Sequence, residues 1–152
     1  MAYIPKDAEW YLADIVMQIT VDGHPENIVH TNLILIRADS PEQAYEEAVK
    51  LGAEGEGTWQ NPDDRLVRKR FRGLRTLGVI HEKLEHGAEL TYCEDRDMDE
   101  AAIVAWVTPK EELGVFSPIE PSKGPNYGSR EIQDKLRSEF PHLFDSDGRR
   151  IV

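Results

Sequence analysis

Six of the eighteen basic residues fall between Arg65 and Arg75. If that stretch is a strand, Arg68, Arg70 and Arg72 share one face, with Val67 and Phe71 on the other. Three guanidiniums in a row have the charge and the fork geometry to hold carboxylates or phosphates. Pairing with acidic residues on a facing strand, such as Glu89, is the plainer use of the same charges. In a chain with 29 Asp and Glu that reading comes first. Arg68, Arg70 and Arg72 stand as the candidate binding residues.

The carboxylates are densest between two strand-like runs, Ala88 to Glu94 and Ala101 to Val107. Glu94, Asp95, Asp97, Asp99 and Glu100 crowd there. Such a cluster can bind a metal, exchange protons or solubilise a turn. Asp95, Asp97 and Asp99 match the first three ligand positions of a calcium loop, but the glycine position falls on Glu100 and the bidentate glutamate position on Trp106. Asp145-Ser146-Asp147 fails at its fifth position, Arg149. The expectation is a solvated hairpin turn, which needs polar residues in any case. His81 and His86 stand five apart, whereas two helical zinc ligands on one face stand four apart; they read as surface or helix-end residues. Cys93 has no histidine partner legible from spacing and reads as a small buried thiol. The run GAEGEG, 52–57, follows a helix and carries glutamates, so it is no phosphate cradle. No metal, no cofactor and no catalytic residues are expected.

The elements that must position these groups are legible in part. Trp10 to Val21 alternates as a strand, with Tyr11, Ala13, Ile15, Met17, Ile19 and Val21 on one face and Asp14, Gln18 and Thr20 opposite. Asp22-Gly23 marks a turn into a second strand, Asn27 to Ala38, and the short connection predicts an antiparallel hairpin. Ser40, Pro41 and Gln43 form a capping box for a helix carrying Ala44, Ala48 and Leu51, with Gly52 as its C′ residue. A loop to Asp64 follows, then a strand from Leu66 to Gly73. Thr76 caps a short helix with Leu77, Ile80 and Leu84 on one side and Gly87 as its stop. The acidic hairpin comes next. Thr108 to Glu111 repeats the capping logic for one helical turn ended by Gly114. Residues 117–129 are rich in Pro, Gly and Ser and read as a linker. Ile132, Leu136 and Phe140 then mark a helix stopped by Pro141, and Asp145 to Val152 reads as loose. The expected fold is α+β: a mostly antiparallel sheet of about five strands with helices packed on one face. This core spans 1–116, and 117–152 forms a linker and helical appendage.

The chain also resembles a known family, the small bacterial family catalogued as domain of unknown function 4288. The residues that carry the resemblance are Trp10-Tyr11-Leu12-Ala13, Ala38-Asp39-Ser40-Pro41-Glu42-Gln43-Ala44, Phe71-Arg72-Gly73-Leu74 and His86-Gly87-Ala88-Glu89-Leu90. It covers about Trp10 to Cys93 and leaves the tail beyond Gly114 outside. It implies an α+β bacterial domain and brings no activity, so no site residue carries over from it.

Bulk properties narrow the function classes. The net charge of −11 repels nucleic acid phosphates and anionic membranes and favours a basic protein partner, though acidity also simply keeps a chain soluble. One cysteine permits no internal disulfide, which fits a reducing compartment. The N-terminus shows no apolar signal region, and no run approaches a membrane span; a cytoplasmic protein is expected. The favoured expectation is a non-catalytic interaction or immunity-type binding module with an acidic surface, and a homodimer is open. The alternatives are a small-molecule or anion-binding regulatory domain with a sheet–helix cleft, and an enzyme whose site gathers Asp14, His30 and the arginine face.

Overall fold

The computed structural model describes residues 3–120 and 122–148. Its core is a four-stranded antiparallel sheet in the order β2-β1-β4-β3. The strands are β1 (Trp10–Val21), β2 (Ile28–Arg37), β3 (Gly57–Gln60) and β4 (Leu66–Val79), and α1 (Pro41–Glu54) follows β2. Two further helices, α2 (Glu100–Trp106) and α3 (Arg130–Glu139), lie outside the sheet, with single 3-10 turns at Lys110–Glu112 and Pro141–Leu143. The α+β class is therefore as expected, with four strands rather than five. The expected solvated acidic hairpin is absent: 88–94 has no strand, and 101–106 belongs to α2.

β1 is the central strand because its alternation is strict. Its inward residues Tyr11, Ala13, Ile15, Met17, Ile19 and Val21 are all buried. β2 pairs with it from Trp10↔Arg37 to Ile19↔Ile28 without interruption. The inner face meets α1 through Ala44 and Ala48, both fully buried, whose methyl groups let helix and sheet approach closely. Ser40 caps α1 by accepting the Gln43 N–H at 3.1 Å, and the Gln43 side chain reaches back to the Asp39 N–H at 2.6 Å. The helix does not stop at Gly52. It runs to Glu54, and Gly52 lies under Phe71, where a Cβ would stand 2.5 Å from the ring. Close packing, not chain termination, is the reason for that glycine.

β4 also runs further than expected. Gly73 does not end it, and no helix starts at Thr76. Two register shifts against β1 leave Arg72 and Arg75 as extra residues, at β-bulges that bend the strand. Gly73 takes φ +134, a conformation open to glycine. Beyond the bulges Leu77 and Val79 pack inward again, and Ile80 still donates its N–H to the Trp10 carbonyl. β3 arises inside the stretch expected as loop. Trp59 opposite Val67 anchors it, and Tyr127 packs against the same small cluster of Ile19, Val21 and Val67.

The segment 125–130 straps onto that end of the sheet. The Trp59 indole N–H donates to the Tyr127 carbonyl at 2.8 Å, and the Asn61 amide donates to the Asn126 carbonyl at 2.7 Å. Arg130 pairs with Asp64 and donates to Gln60 Oε1 at 3.1 Å. The helix expected from the Ile132, Leu136 and Phe140 stripe is α3; it begins at the Ser129 cap and ends before Pro141. The expected loose end from Asp145 is tied as far as Gly148, whose carbonyl accepts from Arg137; 149–152 lie outside the described residues. Thr108 provides no cap for the turn at Lys110–Glu112. Among the described residues no helix is long and apolar enough to cross a membrane.

Candidate functional site: the outer face of the sheet

Because α1 covers the inner face, the outward positions of each strand form a second surface. From β1 these are Trp10, Leu12, Asp14, Val16, Gln18 and Thr20; the register sets Val29, Thr31, Leu33, Leu35 and Arg37 of β2 beside them. On the other flank stand Arg68 and Arg70, opposite Thr20 and Gln18. Arg72 joins them although it is a bulge residue: the bulge re-aims its side chain, so that Gln18, Thr20, Arg68, Arg70 and Arg72 line one shallow cleft of about 190 Å³. The strand reading thus brings the three arginines together as expected.

Their pairing differs from the expectation. Arg68 is tied to Asp22 at 2.5 Å, not to Glu89. Among the described residues no carboxylate lies within ion-pair distance of Arg70 or Arg72. Glu89 stands in the irregular segment after β4, where its N–H donates to the Glu82 carboxylate. Two guanidiniums are therefore available on this face.

The apolar flank is what sequence reasoning missed. Val29, Leu33 and Leu35 are 55%, 65% and 44% exposed. Gly73 and Gly78 stand opposite Val16 and Leu12, and a Cβ at either would meet nothing within 4 Å. The face thus has an apolar strip on β2 and, across β1, the β4 flank with the arginine row at one end and the bare glycine floor at the other. The signal was present in the unbroken run Leu33-Ile34-Leu35-Ile36, since a strand apolar on both faces needs cover on both.

The other candidates do not converge. Asp14 lies on the outer face opposite Leu33, whereas His30 stands opposite buried Met17 and packs edge-on against Tyr127 on the inner side. The sheet separates them. Cys93 is exposed rather than buried. His81 and His86 are exposed and lie outside any helix. In the acidic cluster Glu94 pairs with Arg96 at 2.7 Å, and Asp99 caps α2 by accepting the Ala102 N–H at 2.8 Å. Among the described residues no three His, Cys, Asp or Glu side chains gather where a metal ion could sit.

Comparison with known proteins gives one finding. A family model described as Domain of unknown function (DUF4288) matches residues 10–92, more than half of the 152-residue chain. The match spans the whole sheet and α1 and stops short of α2. No curated protein and no solved structure matches the chain.

Proposed function

From the premise that the chain belongs to the DUF4288 family, we propose that the protein is a non-catalytic interaction module and that the outer sheet face is its binding surface. The observation that carries this reading is the uncovered apolar strip of Val29, Leu33 and Leu35. Exposed apolar residues gathered on one face, rimmed by charge, mark surfaces that other proteins cover. Fully burying an exposed Leu or Val contributes about 1.5–3 kcal/mol, so a partner that covers these three half-exposed side chains gains roughly half of that from each. Arg70 and Arg72 add charge-assisted hydrogen bonds to carboxylates at the partner's rim. The surface that fits is therefore apolar with an acidic border. A basic protein, the partner that the net charge of −11 favours at long range, would meet the acidic remainder of the molecule, as an immunity-type module does. A reducing, cytoplasmic setting belongs to the same reading, since the lone exposed Cys93 would cross-link copies under oxidising conditions.

The test is the double variant Leu33→Asp with Leu35→Asp. Both side chains point to solvent, so the circular dichroism spectrum should stay that of wild type. Partners captured by wild type and rebuilt from purified components should be lost. A variant that keeps every such partner overturns the reading.

One observation favours a second reading, an anion site. The cleft between Gln18, Thr20 and the three arginines offers donors from the guanidiniums, the Thr20 hydroxyl and the Gln18 amide, and no carboxylate lines it. Saturable binding of inorganic phosphate, lost in Arg70→Gln with Arg72→Gln, would establish it.

A further inference from the structure

Residues 88–116 form an arm that lacks a core of its own. Nine of the nineteen exposed large hydrophobic side chains of the described residues lie in it, between Leu90 and Phe116. α2 is seven residues long and buries none of them, with Val104 61% and Trp106 66% exposed. A helix this short does not hold in water on its own propensity, because helices under roughly 12–15 residues depend on tertiary packing. The arm therefore calls for a surface. Its charge specifies which: 88–116 holds eight Asp and Glu (Glu89, Glu94, Asp95, Asp97, Asp99, Glu100, Glu111 and Glu112) against Arg96 and Lys110.

The outer sheet face has the complementary properties. Its strand positions carry Arg37, Arg68, Arg70 and Arg72 against Asp14; Arg37 lies 3.9 Å from Glu9 and Arg68 is tied to Asp22, which leaves Arg70 and Arg72 for a partner. Its apolar strip lies open beside the arginines, and Gly73 and Gly78 leave the floor free of side chains. We propose that the occupant of this face is the arm of a second copy of the chain, exchanged reciprocally about a two-fold axis. Trp106 and Val104 then cover Leu33 and Leu35, and the 94–100 carboxylates meet Arg70 and Arg72. The inference rests on the outer face being a protein-binding surface and names its partner. A two-fold exchange repeats the same contact twice, so each modest interaction counts double. Two copies of charge −11 repel at a distance, which slows encounter, while the facing groups in the contact are opposite in sign.

The experiment uses the full chain in sedimentation equilibrium over a concentration series. Wild type should rise from a mass of 17.3 kDa to twice that value. Arg70→Glu with Arg72→Glu reverses the face, and Glu94→Arg with Asp95→Arg reverses the arm. Each reversed chain alone should stay monomeric, with an unchanged circular dichroism spectrum and a melting temperature that does not depend on concentration. Mixed in equal amounts they should form heterodimers, because one contact is then native in sign and the other is complementary with both signs exchanged. Restoration on mixing also shows that both variants are folded. A wild type that stays monomeric throughout, a dimer unaffected by either reversal, or reversed chains that fail to associate each overturn the proposal. Failure here leaves the proposed binding surface standing, whereas retention of all partners by the Leu33→Asp, Leu35→Asp chain removes the surface itself.

Discussion

At Gly52 the chain has no room for a methyl group, because a Cβ there would stand 2.5 Å from Phe71 Cδ2 and Cε2. Two effects of Gly52→Ala oppose each other. Alanine is better in a helix by about 1 kcal/mol, while overpacking a core costs about 1–3 kcal/mol. The ring is planar, stiff and packed against the core cluster, so the steric cost wins. Gly52→Ala should destabilise by about 1 kcal/mol net in urea melts. In a Phe71→Leu background the same substitution should become neutral or stabilising, and an unchanged cost there would place the clash elsewhere. Ser40 is a simpler case. Its hydroxyl accepts the Gln43 N–H, and Ser40→Ala should cost about 1 kcal/mol with an unchanged denaturant slope. A neutral result would mean that the Gln43 side chain alone holds the helix start.

Among the elements, legibility follows how local the determining signal is. β1, β2 and the α1 cap are set by alternation and by a serine three residues before the N–H that its hydroxyl accepts, so they can be read directly. β4 could not be read to its end, because Gly73 looks like a terminator and Leu77, Ile80 and Leu84 fall at helical spacing. Only pairing with β1 decides that Gly73 belongs to a bulge and that Leu77 faces inward. Residues 101–107 read as a strand because Ile103, Val104 and Val107 favour strands, while 100–106 forms α2 with Asp99 as its cap. Arg68 and Arg70 are legible from strand periodicity, whereas Arg72 joins them at a bulge; the open strip is not legible, because it depends on which face α1 covers. The β3–β4 turn shows the same non-local dependence and gives a test. Asn61 is buried; its Oδ1 accepts from the Asp63 and Arg65 N–H groups, and its Nδ2 donates to the Asn126 carbonyl. Asn61→Asp keeps the acceptor for the turn and sets a carboxylate oxygen against that carbonyl. The turn should persist while the strap loosens, so protease cleavage within 117–129 should quicken with little change in the far-ultraviolet spectrum. Equal cleavage rates would mean that Trp59 and Arg130 hold the strap without Asn61.

For the whole molecule the question is where the core stops. Composition places the division at 116/117, and the family match ends earlier still, at residue 92. The contacts cross both points: Tyr127 packs on the Ile19, Val21 and Val67 cluster, and the Trp59 and Asn61 side chains find their partners at 126 and 127. Removing 117–152 takes away the Trp59 and Asn61 hydrogen bonds, worth about 0.5–1.5 kcal/mol each, together with the exposed Arg130 contacts to Asp64 and Gln60, and uncovers an aromatic contact, so a 1–116 chain should fold but lose about 2–4 kcal/mol. A 1–130 chain keeps Asn126, Tyr127 and Arg130 and gives up mainly α3, whose ten residues bury none of their number. It should therefore lie within about 1 kcal/mol of the full chain, because exposed surface contributes little to stability. Urea melts of the three chains separate the cases. If 1–116 matches the full chain, residues 125–130 rest on the sheet without supporting it. If 1–130 is as weak as 1–116, α3 and the turn at Pro141 hold the strap in place. The expected order, full chain close to 1–130 and both above 1–116, makes the strap the true edge of the folded core and leaves α3 as the appendage.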